Sequence, residues 1–184
     1  RDKAEITVYG PAAAETLREI LGRQMRAPYY PASLGGAAAT MAMSEVRSEP
    51  VEIGSALVRP FPLNHPQGAT GYRVECGGTV IVYASDTEHG NGDADRILRD
   101  HARDADILVF DAQYTPPEYE EKKGWGHSTW LEGTRVARDA EVGQLWLFHH
   151  DPAHSDLFMD GLLAEARERF GSTFVAREGT TVRA

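Results

Sequence analysis

The stretch GYRVECGGTVIVYASD, residues 71–86, decides the fold. Two runs rich in β-branched and aromatic residues, 71–76 and 79–84, flank Gly77-Gly78, a pair with the backbone freedom that a two-residue hairpin requires. The second run ends in Ser85-Asp86, so a reactive side chain stands where a strand leaves the core. Upstream, residues 56–63 read as another strand, ended by Asn64, His65 and Pro66. Downstream, Ala94, Ile97, Leu98, Ala102 and Ala105 recur at helical spacing and lead into residues 107–110, a strand of the buried type.

A second helix–strand pair follows. Thr129 and Glu132 fit a capping box, Trp130, Thr134, Ala137 and Ala140 mark the helix's inner face, and residues 144–148 form the next strand. Phe158, Leu162, Ala166 and Phe170 make an i,i+4 stripe on a last long helix before a strand at 173–176. Near the start, residues 6–9 read as a strand. Pro11 suits a first helical position, with Leu17, Ile20 and Leu21 as the stripe and Gly22 as the end. Residues 28–39, rich in Pro, Gly and Ala, show no period and read as a loop. Strands, a hairpin and then helix–strand units, with no internal repeat, predict a mixed α/β fold.

Composition narrows the function classes. Hydrophobic residues make up 41% of the 184, enough for a real core, which excludes a disordered tail, a coiled coil and a collagen-like chain. The longest apolar stretches, such as 79–84, are strand-sized, so no membrane-spanning segment is expected. With 19 Lys and Arg against 28 Asp and Glu, the net charge of −9 argues against gripping a long nucleic acid, which needs clustered cations. No basic arm stands between Gly22 and His65 to hold a long RNA. A small anionic substrate fits better, provided a metal supplies local positive charge. Cys76 is the one cysteine, so no disulfide framework exists and a cytoplasmic setting is the default.

His65, Asp86 and His149 fall at the ends of expected strands, and His127 falls at a helix entry. Two imidazoles and a carboxylate suit zinc or a similar divalent ion, although no local signature such as His-Glu-x-x-His links them. Each neighbour has a plain reading beside a functional one. Glu88 and His89 either support the site or belong to a solvated loop. Asp111 either supports the site or binds backbone donors of the next loop. His150, Asp151 and His154 either orient His149 or begin the last helix, with Ser155 or Asp151 as its cap. Tyr114, Trp125 and Trp130 line a pocket or fill core, His101 reads as a core histidine, and Arg73 as a solvated or paired hairpin residue.

Four segments occur in a telling order: Leu63-Asn64-His65-Pro66 with Gly71-Tyr72-Arg73, Tyr83-Ala84-Ser85-Asp86-Thr87, Gly126-His127-Ser128-Thr129, and Leu147-Phe148-His149-His150-Asp151. Together they resemble the metallo-β-lactamase superfamily, most closely its ribonuclease Z and phosphodiesterase-like branch, over nearly the whole chain from Ile6 onward. The resemblance implies that His65 is the isolated metal-ligand histidine, Asp86 the carboxylate bridging two metals, and His149 the last ligand of the second. It implies that His127 contacts the scissile phosphate without ligating metal. The family's His-x-His-x-Asp-His loop, which carries most ligands of the first metal, does not occur in these residues. In the family it lies upstream of the part matching Ile6-Thr7-Val8-Tyr9-Gly10-Pro11.

The expectation is therefore one partial domain over residues 1–184, the C-terminal half or more of an αββα sandwich lacking its N-terminal segment. Its implied activity is hydrolysis of phosphodiester bonds by a water activated between two divalent ions, zinc before manganese. Thioester or lactone hydrolysis in the same fold, or a non-catalytic metal-binding or interaction module, are the alternatives, and His127 favours phosphate. The 184 residues alone are expected to hold at most one metal and to hydrolyse negligibly. They are also expected to expose an apolar sheet face that takes the upstream segment or a second copy.

Overall fold

The computed structural model describes residues 4–11, 15–36 and 40–182, in two compact units, Arg1–Glu49 and Pro50–Ala184. In the first unit, β1 (Glu5–Pro11) pairs in parallel with β2 (Thr40–Val46), and α1 (Leu17–Gln24) lies between them in the chain. Pro11 is the last residue of β1 rather than the first of the helix. The helix starts instead at a reciprocal cap, in which the Thr16 side chain accepts from the Glu19 N–H and Glu19 accepts from the Thr16 N–H. The loop expected at 28–39 contains a single 3₁₀ turn, Leu34–Gly36; positions 37–39 lie outside the described residues.

The second unit is built on a seven-stranded sheet. Its strands, in spatial as in chain order, are β3 (Val51–Ile53), β4 (Ala56–Leu63), β5 (Ala69–Cys76), β6 (Thr79–Ala84), β7 (Ile107–Asp111), β8 (Gln144–Phe148) and β9 (Thr173–Val175). β3 to β6 pair antiparallel and β6 to β9 pair in parallel. The hairpin between β5 and β6 turns on Gly77 and Gly78 at φ 60° and 88°, the left-handed conformation that only glycine adopts freely at two successive positions.

That hairpin positions the site. Because β5 runs against both neighbours, β4 points the same way as β6, and β6 the same way as β7 and β8. The C-terminal ends of β4, β6, β7 and β8 therefore meet at one edge of the sheet, where open α/β sheets hold their ligands.

Strand alternation divides the sheet. Val82, Ala84, Leu108, Phe110, Leu145 and Leu147 face one way and are buried in one core with Leu98 and Ala102 of α2 (Gly92–Ala102), Val136 and Ala137 of α4 (Trp130–Asp139), and Leu162 and Ala166 of α5 (Asp156–Arg169). Between β7 and α4 lies α3 (Pro116–Glu121), a short helix with Pro at its first positions that the sequence reading did not anticipate. On the other face Ile81, Tyr83, Val109, Trp146 and Phe148 line a groove of about 380 Å³, with Ile81 and Tyr83 37% and 39% exposed. An apolar sheet face is thus presented within this unit. Among the described residues no helix is long and apolar enough to cross a membrane.

Two details differ from expectation. Phe158 is 43% exposed, and α5 instead buries Met159 with Leu162 and Ala166; Phe158 lies in the first turn, three residues past the Ser155 cap to which its N–H donates. Thr129 caps α4 by accepting from Glu132 N–H, but the Glu132 carboxylate bonds Arg99 and Arg135 rather than closing the reciprocal half of a capping box.

A Cβ at Gly71 would run into the Phe61 ring, which is fully buried and stacked on His101 at 4.3 Å. Gly71→Ala should destabilise the chain by about 1–3 kcal/mol, the usual effect of overpacking, read as a lower urea midpoint with an unchanged slope. An unchanged midpoint would show that the Phe61–His101 stack yields at no cost.

Candidate metal centre

His65 stands just past β4, between Asn64 and Pro66. Asn64 and Glu88 are tied both ways: the Asn64 side chain donates to the Glu88 carbonyl (2.8 Å), and the Glu88 N–H donates to the Asn64 carbonyl (2.7 Å). The loops after β4 and β6 are thereby fixed to each other. Gln67 N–H, 3.3 Å from His65 Nδ1, helps hold the ring. Asp86 and His149, just past β6 and β8, both take φ 60°, a left-handed conformation uncommon outside glycine and concentrated at functional sites.

The structure brings the four residues together. His149 Nε2 lies 3.6 Å from Asp86 Oδ1. The ligating atoms of His65, Asp86 and His127 lie within 4.8 Å of one another, as do those of Asp111, His127 and His149. The His127 ring stands 5.6 Å from that of His65 and 4.8 Å from that of His149.

The two groups differ in how far protein already satisfies them. Asp111 is fully buried and both its oxygens are occupied. Oδ2 accepts from Thr87 N–H (3.2 Å) and pairs with His127 Nδ1 (2.8 Å), while Oδ1 accepts from Gln113 N–H (3.2 Å) and Ser128 N–H (3.3 Å). It has the contacts of an orienting group. Asp86, by contrast, is half-exposed, and the His149 imidazole is its one ion-pairing neighbour within 4 Å among the described residues. Half-exposed imidazole and carboxylate donors converging at a sheet edge fit a divalent cation of the zinc type.

The bond to Asp111 raises the His127 pKa above its ordinary 6.5, against the opposing effect of burial. The ring follows Gly126 and precedes Thr129, the cap of α4, so it sits at the positive end of a helix.

A second carboxylate supports the same region. Glu88 is 8% exposed and accepts from Gly124 N–H (2.7 Å), Gly126 N–H (2.9 Å) and the Tyr119 hydroxyl (3.1 Å). Burial, then the bond to Glu88, pushes the Tyr119 pKa up to about 12, so the hydroxyl stays a donor. The solvated-loop reading of Glu88 therefore fails, because a hydroxyl from α3 and two N–H donors from the loop after it meet the carboxylate. Burial lowers the pKa of His89, whose ring lies against Tyr119 at 4.2 Å. His154 bonds Glu118 of α3 (2.9 Å) and Ser155 caps α5, so His154 does not orient His149. Tyr114 and Trp130 are core, and Arg73 pairs with Glu75 while its guanidinium caps the carbonyls of His101 and Arg103.

Residues 1–150 match the family described as beta-lactamase superfamily domain. Among curated proteins, the chain is 40% identical over 103 residues to a Ribonuclease Z of Haloferax volcanii, covering 55% of this chain and 31% of that protein. To a Ribonuclease Z of Thermoplasma acidophilum it is 35% identical over 102 residues, covering 55% and 31%. The chain thus spans about a third, 31%, of the length of these relatives. Among solved structures it resembles the metallo-beta-lactamase fold protein YhfI of Bacillus subtilis, with TM-score 0.72, 18% identity, and 96% of this chain and 64% of that one covered. It also resembles Zn(2+)-bound PqqB of Methylobacterium extorquens, with TM-score 0.70, 18% identity, and coverage of 98% and 65%. At these identities the likeness establishes the fold.

In the chain kept free of metal by a chelator, the His127 ring should hold its proton to higher pH than free imidazole. Asp111→Asn should lower its NMR titration midpoint, since the bond that raises it most is lost while burial still opposes the charged form. With the folded-state value raised, the pair's contribution to stability is complete below the unfolded value and is lost as pH rises through the folded-state midpoint. A midpoint that ignores the Asp111 substitution would disprove the pairing.

Proposed function

The chain belongs to the beta-lactamase superfamily, and on that premise we propose that it works as a metal-dependent hydrolase of phosphodiester bonds. One observation carries the reading: a histidine whose pKa is raised by its bond to a buried carboxylate stands beside two half-exposed imidazoles and a carboxylate. His65, Asp86 and His149 would hold the divalent ions, with Asp86 shared between two. The ions, zinc before manganese by donor type, supply a water of lowered pKa and neutralise developing negative charge.

The remaining roles belong to the protein. His127, its Nδ1 proton directed at Asp111, offers its other nitrogen as a cationic donor to a phosphoryl oxygen. Hydrogen bonds to Asp111 fix that ring and leave it little freedom to swing away. The nearby N-terminus of α4 favours an anion at the same place. Small anionic esters are the first substrates on this reading, and the relatives named Ribonuclease Z keep RNA phosphodiesters within the class. The family match runs through both units, so we read them as parts of one metallo-β-lactamase-type domain. The apolar sheet face supports a further covering layer, from additional chain or a second copy. The single, exposed Cys76 agrees with a reducing cytoplasm.

One observation favours a second reading of His127. A carboxylate bonded to one ring nitrogen is also how proteins orient a metal-ligating histidine, and His127 lies in both ligand groups. Metal content separates the two. In protein carrying the complete ligand set, His127→Ala should lower kcat for bis(p-nitrophenyl) phosphate by about 10²–10³-fold and leave bound zinc unchanged. His149→Ala should release zinc. Loss of zinc from the His127 variant would make that residue a ligand and end its assignment as the phosphate donor.

A further inference from the structure

His89 follows Asp86 by three residues, in the loop between β6 and α2, and its ring is held on two sides. Nδ1 stands 3.3 Å from the hydroxyl of Ser128, which is fully buried, and the Tyr119 ring lies against its face at 4.2 Å. These partners decide where the imidazole proton sits. The Ser128 hydroxyl gives its one hydrogen to the Thr87 carbonyl at 2.7 Å, so toward His89 it can only accept. Nδ1 is therefore the protonated nitrogen. In the neutral ring, the form that burial favours, Nε2 is left with a lone pair. No protein group among the described residues bonds Nε2, and it is not buried.

That edge of the ring borders a cavity. Nδ1 is turned to Ser128 and one face to Tyr119, so the opposite edge, which carries Nε2, is what His89 presents to a space of about 550 Å³. The volume lies within the usual range for small-molecule sites. His65 forms part of the same wall, which places the cavity beside the group of His65, Asp86 and His127. Other polar side chains of the wall are already engaged. Asn64 donates to the Glu88 carbonyl, Asn91 donates to Asn64 and caps α2, and the Tyr119 hydroxyl donates to Glu88. Lys123 pairs with Glu120 at 2.8 Å. A neutral acceptor beside an anion site suits a hydroxyl on the alcohol that the phosphate esterifies. It takes the donor without repelling the phosphate, as a free carboxylate would.

We propose that His89 is a specificity-determining residue: its Nε2 accepts a hydrogen bond from a hydroxyl of a sugar or polyol seated in the cavity beside His65, the esterified phosphate lying at the His65–Asp86–His149 cluster. This inference rests on the function proposed above. Ser128 and Tyr119 fix the ring before binding, so the bond forms with little further ordering.

The test compares sn-glycerol 3-phosphate with propyl phosphate, which has the same phosphate and carbon chain but lacks the hydroxyls. Nitrogen NMR of the 184-residue chain should show His89 Nε2 unprotonated, and glycerol 3-phosphate, unlike propyl phosphate, should shift its signal. Calorimetry, with and without zinc, should show the hydroxyls tightening binding about three- to tenfold, the usual contribution of one hydrogen bond. His89→Asn, whose amide reaches only as far as Nδ1, should abolish that increment and leave propyl phosphate binding unchanged. His89→Gln, whose amide oxygen reaches the place of Nε2, should keep most of it. A proton on Nε2 in the free chain, equal affinity for the two ligands, or an increment that survives His89→Asn would overturn the proposal. Zinc dependence is read separately: an increment lost in His89→Asn, with no effect of zinc on either ligand, would uphold His89 as the hydroxyl acceptor and overturn the metal-site reading beneath it.

Discussion

Asp111 carries its carboxylate at zero exposure, and the protein meets that desolvation with three backbone donors and an imidazole drawn from three loops. Thr87 belongs to the turn after β6, Gln113 to the turn after β7, and His127 and Ser128 to the entry of α4. Any of these loops that moved would strand a buried charge, a loss of several kcal/mol. The carboxylate therefore sets the relative positions of two strand ends and one helix start. The His127 ring inherits that precision through its bond to Asp111.

Glu88 repeats the device one layer out. Its backbone is tied to Asn64 and its carboxylate to Gly124 and Gly126, so the loop after β4, the loop after β6 and the approach to α4 are bound into one frame. The inner carboxylate orients the imidazole, while the outer one holds the wall against which His65 rests. Both carboxylates already accept protein hydrogen bonds at each of their oxygens.

Much of this was legible in the sequence, for a physical reason. Strands β4 and β6 fall on the expected residues because β-branched runs bounded by glycine, proline and asparagine leave few alternatives. His65, Asp86 and His149 could be placed because strand ends face the solvent at one sheet edge. Asp111 and Glu88 resisted reading. A carboxylate near a strand end looks the same in sequence whether water or a distant loop supplies its donors, and the Gly124 and Gly126 donors lie far from Glu88 along the chain. Helix ends failed for a similar reason. The stripe from Phe158 has the right period, but in the first turn of α5 the period does not tell which face meets the core.

The backbone is left-handed at both Asp86 and His149, which follow two non-adjacent strands at one sheet edge. β6 and β8 are separated by β7, so their axes stand about 9–10 Å apart at the usual strand spacing. Yet Asp86 Oδ1 and His149 Nε2 approach to 3.6 Å. The two side chains reach toward each other across the end of β7, from residues at φ 60° that stand directly after β8 at His149 and one residue further past β6 at Asp86. Glycine would make the same turn without the roughly 1–2 kcal/mol that a side chain adds in this conformation, but it would bring no donor atom. The strand beneath must also end there, and it does so at Asp111, whose side chain turns into the gap below the pair and anchors His127 across it. Left-handed backbone at two positions and a buried carboxylate at a third thus meet at one place, where two polar side chains from non-adjacent strands come within 3.6 Å of each other.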